Sequence, residues 1–151
     1  MTTISIGELM TEKLETINTS SSAQEASKKM RDKNVSSLVV IDKKNNNKPT
    51  GIITERDLVR KVCVNDASSS SIIIQHIMSS PLVTIDASSS VEAAADIMIQ
   101  NKVRHLLVVK NNDIGRPLGI ITSTDFTGYL KENLNIDDVN AKIIESLKEE
   151  E

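Results

Sequence analysis

The chain predicts a mixed α/β (α+β) fold made of two β-α-β-β-α repeats and closed by a C-terminal amphipathic helix. Three observations carry that prediction. First, the sequence matches itself at an offset of 68 residues: Met10 falls on Met78, Thr16-Ile17 on Thr84-Ile85, Ala26 on Ala94, Met30 on Met98 and Leu38 on Leu106. The match ends with Gly51-Ile52-Ile53-Thr54-x-x-Asp57 on Gly119-Ile120-Ile121-Thr122-x-x-Asp125, and it needs no gap, even across Lys43–Lys48. Such self-similarity marks one supersecondary unit used twice, whose copies bury apolar surface on each other. Second, within each copy short continuous apolar runs alternate with segments of three- and four-residue apolar spacing, the patterns of buried strands and amphipathic helices. Third, 151 residues with 38% hydrophobic content suit one compact domain built from two half-units.

Each element follows from its residues. Thr16-Ile17 is a short strand that ends in the polar turn Asn-Thr-Ser-Ser-Ser. Ser21-x-x-Gln24, and Ser89-x-x-Glu92 in the second copy, read as capping boxes. The helices that follow, Ala23–Lys33 and Val91–Asn101, carry Ala23, Ala26 and Met30, or Val91, Ala94 and Met98, on one face. Ser37–Ile41 and His105–Val109 are nearly continuous apolar runs, as expected for strands covered on both faces. A polar turn leads to the strands Gly51–Thr54 and Gly119–Thr122, and second helices run from Glu55 to about Val64 and from Ser123 to about Glu132. Cys63, inside the apolar run Leu58–Val64, reads as a small buried residue.

The expected boundaries are 4–64 for the first repeat, 65–75 for a linker, 76–132 for the second repeat and 133–151 for a helix with an acidic tail. The linker segment Asn65–Ser71 is flexible by composition. In the last segment Val139, Ile143, Ile144 and Leu147 form an apolar stripe, from which Ile143 and Leu147 are expected to pack back on the body.

Composition excludes several classes of function. Net charge is −3, and seven acids stand against two lysines between Glu132 and Glu151, so the repeats themselves are close to neutral. With one Phe, one Tyr and no Trp, the chain lacks both the basic stripe and the aromatic platforms of a nucleic-acid binder. A single cysteine excludes a disulfide framework and a cysteine-based zinc site, so no metal is expected. No leader pattern and no apolar run approaching a membrane span is present, which implies a soluble, cytoplasmic protein without a membrane partner.

The repeated Gly-Ile-Ile-Thr-x-x-Asp motif has two readings. Structurally, Thr54 and Thr122 are N-caps, and Asp57 and Asp125 favour the positive end of a helix dipole. Chemically, free N–H groups and a hydroxyl at a helix start form an anion site, and an Asp one turn in can accept both hydrogen bonds of a ribose diol. Charge-assisted bonds of that kind contribute about 1.5–3 kcal/mol each. Gly, Thr and Asp recur together in both copies while Glu55-Arg56 becomes Ser123-Thr124, which tips the reading toward a shared ligand.

On Leu9-Met10, Thr16-Ile17, Val103–Val109 and both Gly-Ile-Ile-Thr-x-x-Asp segments, the chain resembles a tandem pair of cystathionine β-synthase (CBS) domains, a Bateman module, over about residues 4–132. The resemblance implies a pseudo-two-fold axis with two clefts, where adenosine-containing ligands (AMP, ADP, ATP, sometimes S-adenosyl compounds or dinucleotides) lodge with ribose on the motif's Asp. The regulatory gamma subunit of AMP-activated protein kinase implies that each cleft draws its Asp from one repeat and much of its base pocket from the other. One cleft is then expected to hold Ile120, Thr122, Thr124 and Asp125 with Thr16, Val35, Ser36 and Ser37 at the adenine, and Arg104 and His105 at the phosphates. The other is expected to hold Ile52, Thr54, Arg56 and Asp57, with Thr84, Val103, Arg104 and His105 around the base.

Because Arg104-His105 in the second repeat stands where the first has Ser36-Ser37, the Asp125 cleft is expected to favour a phosphorylated ligand, with Arg56 able to serve the Asp57 cleft. His76 is assigned to the surface and Lys43–Lys48 to a solvated hairpin turn. The expectation for function is a stand-alone, homodimeric sensor that binds adenine nucleotide as a regulatory ligand, needs no cofactor and acts on another, unknown protein. The competing expectation is a ligand-free dimerisation module. No catalytic residue is expected, since no nucleophile motif, P-loop or metal-ligand spacing appears.

Overall fold

A computed structural model describes residues 4–133 and 136–149. Each half carries a three-stranded mixed sheet: β1 (Thr16–Asn18), β2 (Ser37–Asp42) and β3 (Lys48–Thr54) in the first, β4 (Thr84–Asp86), β5 (His105–Lys110) and β6 (Asp113–Thr122) in the second. The outer strands β1 and β4 run parallel to β2 and β5, with Thr16 opposite Val39 and Thr84 opposite Leu107. β3 and β6 return antiparallel, with Ser37 opposite Thr54 and His105 opposite Thr122. The two registers are related by the same offset that relates the sequences. The hairpins differ only at their tips: Asn46 and Asn47 turn one, Asn111 and Asn112 the other, all at positive φ.

The helices α2 (Ala23–Lys33) and α5 (Val91–Asn101) occupy their expected spans. Their caps sit one residue later than expected. Ser22 accepts from the Glu25 N–H (3.1 Å) in a full capping box, and Ser90 accepts from the Ala93 N–H (3.1 Å) with no acid to complete it. Three consecutive serines leave that choice open in sequence, and the strand register decides it. α3 (Glu55–Leu58) passes into a π turn, Val59–Cys63, whereas its counterpart α6 (Ser123–Asn133) is a regular helix.

Alternation along β2 and β5 explains their continuous apolar runs. Leu38 and Val40 face the first helical layer, Leu106 and Val108 the second, and Val39, Leu107 and Val109 meet in the seam between the sheets with Ile41, Ile114 and Ile120. A side-chain period of two therefore buries both faces.

The halves are interlaced by two short helices that the repeat analysis did not separate. α1 (Ile6–Leu9) lies on the second half, where the Ile6 and Gly7 N–H groups donate to Ser89 and Ala87 carbonyls (both 2.9 Å). α4 (Ile74–Ile77) lies on the first half, where the Ile74 N–H donates to the Ser21 carbonyl (2.8 Å). Behind each, the chain bridges to an inner strand, Thr11 to Ile120 and Ser79 to Ile52. This crossing accounts for the motif glycines. A Cβ at Gly51 would stand 2.7 Å from the Ser79 carbonyl oxygen, and one at Gly119 would stand 2.5 Å from that of Thr11.

Three expectations are corrected. Cys63 is exposed, because Leu58 and Val62 at four-residue spacing take the inward face and turn Cys63 outward with Val59. The linker is tied rather than loose: Ser69 and Ile72 carbonyls accept from the Gln24 and Ala23 N–H groups, and the Ala67 N–H returns to Val62. In α7 (Ile136–Glu149), Ile143 and Leu147 are 53% and 61% exposed, so the stripe is amphipathic but uncovered in a single chain. The Val139 side chain and residues 150–151 lie outside the described parts. His76 is exposed, as assigned, and no described helix is long and apolar enough to cross a membrane.

Candidate functional site

The Thr-x-x-Asp motif forms the same closed cap in both halves. The Thr54 N–H and hydroxyl both donate to Asp57 Oδ2 (3.0 Å each), and the Asp57 N–H donates to Thr54 Oγ1 (3.1 Å). Thr122 and Asp125 repeat it at 2.8, 3.2 and 3.3 Å. The crossing segment adds a third donor in each half: the Ser79 hydroxyl reaches Asp57 Oδ1 (3.2 Å) and the Thr11 hydroxyl reaches Asp125 Oδ1 (3.4 Å). The anion site expected at these helix starts is thus partly spent inside the cap, since the motif's own Asp and Thr oxygens take its donors.

Around Asp57 the halves part. Asp57 is buried, and Lys61 Nζ lies 3.3 Å from its Oδ1 while donating to the Ile77 carbonyl (2.7 Å). A cavity of about 520 Å³ opens beside it. Ile52, Thr54, Glu55, Arg56, Asp57, Arg60 and Lys61 line one side, and Lys102, Val103, Arg104, His105, Thr122, Ser123 and Thr124 line the other. Leu82, Val83 and Pro81 form an apolar wall, with Ser36 and Ser79 completing the lining. Five permanent cations (Arg56, Arg60, Lys61, Lys102 and Arg104) therefore border one cavity against two carboxylates, Glu55 and Asp57.

His105 is no sixth cation at neutral pH. Its burial, and next the adjacent Arg104 charge, hold its pKa below the ordinary imidazole value, against a smaller upward pull from Asp57 and Asp125. Its half-buried place at the start of β5, paired with Thr122, fixes it at the cavity floor.

The residues expected around Asp57 come together: Ile52, Thr54, Arg56, Asp57, Val103, Arg104 and His105 all line this cavity, and Thr84 stands one residue beyond the lining residue Val83. Of those expected around Asp125, Ser36, Thr122, Thr124, Arg104 and His105 border the same cavity instead. Thr16 and Ser37 are strand residues paired with Val39 and Thr54, Val35 packs on the first core, and Ile120 belongs to the seam. The expected charge bias toward Asp125 is reversed, since Arg104 joins the Asp57 side. Sequence reasoning missed Arg60, Lys61, Lys102 and Ser79. Subtracting the repeats rather than aligning them would have found the first three, because their counterparts are Gly128, Tyr129 and Asn34.

Comparison with known proteins agrees with the duplicated fold. The family model of the CBS domain matches residues 6–63 and again 74–132. An uncharacterized protein of Methanopyrus kandleri is 34% identical over 125 residues, a match spanning 83% of this chain and 62% of that protein. The crystal structure of an uncharacterized conserved protein from Pyrococcus horikoshii superposes with a TM-score of 0.76 at 28% identity, over 88% of this chain and 96% of that one. A CBS domain protein from Pyrobaculum aerophilum, complexed with AMP, superposes with a TM-score of 0.71 at 23% identity, over 81% and 89% of the two chains, and shares the fold.

Proposed function

Because this chain belongs to the CBS-domain family, we propose that it is a regulatory sensor that binds an adenosine-containing ligand (AMP, ADP or ATP) in the cavity beside Asp57. The observation that carries this reading is the convergence of a buried carboxylate, an apolar wall and arginines without an ion pair among the described residues on one cavity of about 520 Å³. That volume lies within the range of about 300–1,000 Å³ typical of small-molecule sites. Asp57 Oδ2 is committed to Thr54, so the ribose diol engages Oδ1 and displaces Lys61, which turns to the phosphates. Val83, Val103 and Ile52 offer apolar contact to the base, while Arg56 and Arg104 offer bidentate donors to phosphate oxygens. The AMP held by the Pyrobaculum protein supports the same ligand class here. The reading assigns binding, not turnover: Asp57 is a diol acceptor locked in a helix cap.

Calorimetry with AMP, ADP, ATP, S-adenosylmethionine and NADH tests it. We expect saturable heat with at least one adenine nucleotide and its loss in Asp57→Ala. Ligand at about 100 times its dissociation constant raises stability by about 2.7 kcal/mol, visible as a higher melting temperature. Silence with all five compounds returns the chain to a second reading, a dimerisation module. The uncovered face of Ile143, Ile144 and Leu147 on α7 favours that reading independently, and light scattering would show a homodimer.

A further inference from the structure

We infer that the cavity beside Asp57 selects a nucleoside di- or triphosphate over a nucleoside monophosphate, with Arg60 and Lys102 as the selecting residues. This deepens, and rests on, the reading of the cavity as an adenine-nucleotide site. Its first ground is charge. Five cations against two carboxylates leave three positive charges facing one cavity, one more than the two negative charges that a monophosphate can carry. Among the described residues, no ion pair or side-chain hydrogen bond occupies Arg56, Arg60, Lys102 or Arg104. Unneutralised cations that converge on a concave, partly apolar surface repel one another until an anion joins them, so a single phosphate leaves part of that repulsion in place.

The second ground is the backbone at Lys102. It ends α5 in the left-handed conformation, φ 54° and ψ 42°, a position that glycine or asparagine takes at least cost. The equivalent residue at the end of α2 is Asn34, in the same conformation (φ 54°, ψ 49°). A lysine at the cavity rim therefore gives up backbone preference where the other half keeps it, and what it gains there is a cation. The third ground is the π turn Val59–Cys63, which carries Arg60 and Lys61 to the same rim. Inserted turns of this kind recur at functional sites. Gly128 and Tyr129, at the matching positions of α6, stand on a regular helix.

Titration calorimetry of AMP, ADP and ATP without divalent cations, on the wild type and on Lys102→Asn and Arg60→Gln, decides the matter. Lys102→Asn installs the residue already found in this conformation at position 34, so folding is preserved and a melting curve verifies it. We expect affinity to rise from AMP to ATP by about tenfold or more, the effect of one charged hydrogen bond. Each variant should weaken ATP by about tenfold and AMP by less than about threefold. AMP binding as tightly as ATP, or variants that weaken both equally, would overturn selection by phosphate number while leaving the nucleotide site standing. Absence of heat with all three nucleotides would defeat the site itself and this inference with it.

Discussion

The two halves of this chain keep the same interior and differ at the cavity rim. Ala26 and Ala94, Met30 and Met98, Leu38 and Leu106, Val40 and Val108, and Ile53 and Ile121 are equivalent pairs, each buried in its own core. At the cavity, Arg56, Arg60, Lys61, Lys102 and Arg104 correspond to Thr124, Gly128, Tyr129, Asn34 and Ser36, and every position loses its charge. The fold needs apolar volume at fixed places, and both copies supply it. An anion needs cations at fixed places, and one copy supplies three of the five, while Lys102 and Arg104 reach across from the other half. On the proposed reading, a duplicated scaffold with one charged cleft acts as a one-site device, although the Thr-x-x-Asp cap occurs twice.

The largest expected effect tests the shared interior. Met30→Ala and Met98→Ala each remove a side chain that is 3% or 8% exposed and leave a void in equivalent cores. Each should cost about 2–5 kcal/mol, read from urea unfolding, and the two values should agree within about 1 kcal/mol. A large difference would mean that the interlacing helices α1 and α4 support their host halves unequally. Both variants should also unfold in a single transition, because each core borrows a helix from the chain segment preceding the other half.

Next in size, Asp57→Ala and Asp125→Ala separate the two roles of the motif. Both lose the same capping box, so both should lose about 0.5–2 kcal/mol of stability. Only Asp57→Ala should also weaken nucleotide binding, by roughly ten- to hundredfold, from about 1.5–3 kcal/mol of diol contact. Equal losses of affinity in the two variants would show that both clefts fill and would remove the contrast between the halves. Because each variant serves as the other's stability control, a fall in affinity cannot be mistaken for partial unfolding.

How far sequence reached can be judged from the same residues. The repeat followed from matching the chain to itself, and the strand and helix segments followed from apolar spacing, which is a local property of the chain. The pairing of Asp57 with Val103, Arg104 and His105 came from the resemblance to CBS pairs, not from spacing. What escaped were features set by non-local geometry. Gly51 counted as part of a ligand motif, but the Met78-Ser79 segment that crosses over it explains its missing side chain. Cys63 sat in an apolar run, yet one helical turn buries Val62 and turns only Leu58 with it toward the core. The charge bias escaped because Arg104 can serve either cleft in sequence, whereas the fold places it on the lining of the cavity beside Asp57.

The smallest expected effect lies in the pH dependence, and it sharpens the contrast by charging one more residue on the same side. Burial and Arg104 depress the His105 pKa in the ligand-free fold, while the unfolded chain titrates near the ordinary value of 6.5. Above that value His105 is neutral in both states and its contribution to stability is complete. As pH falls below it, the unfolded state takes up a proton that the fold refuses, and stability declines until the depressed folded pKa is passed. A bound phosphate reverses the preference, because imidazolium beside an anion is favoured over imidazolium beside Arg104 alone. Affinity in the wild type should therefore strengthen relative to His105→Gln as pH falls toward the depressed pKa of the ligand-free fold, by at most about tenfold per pH unit, the limit for one linked proton. The comparison with the variant at each pH cancels protonation of the phosphate itself. Parallel pH profiles for the two proteins would mean that the imidazole stays neutral with ligand in place, and that the cations alone set the affinity of the cavity.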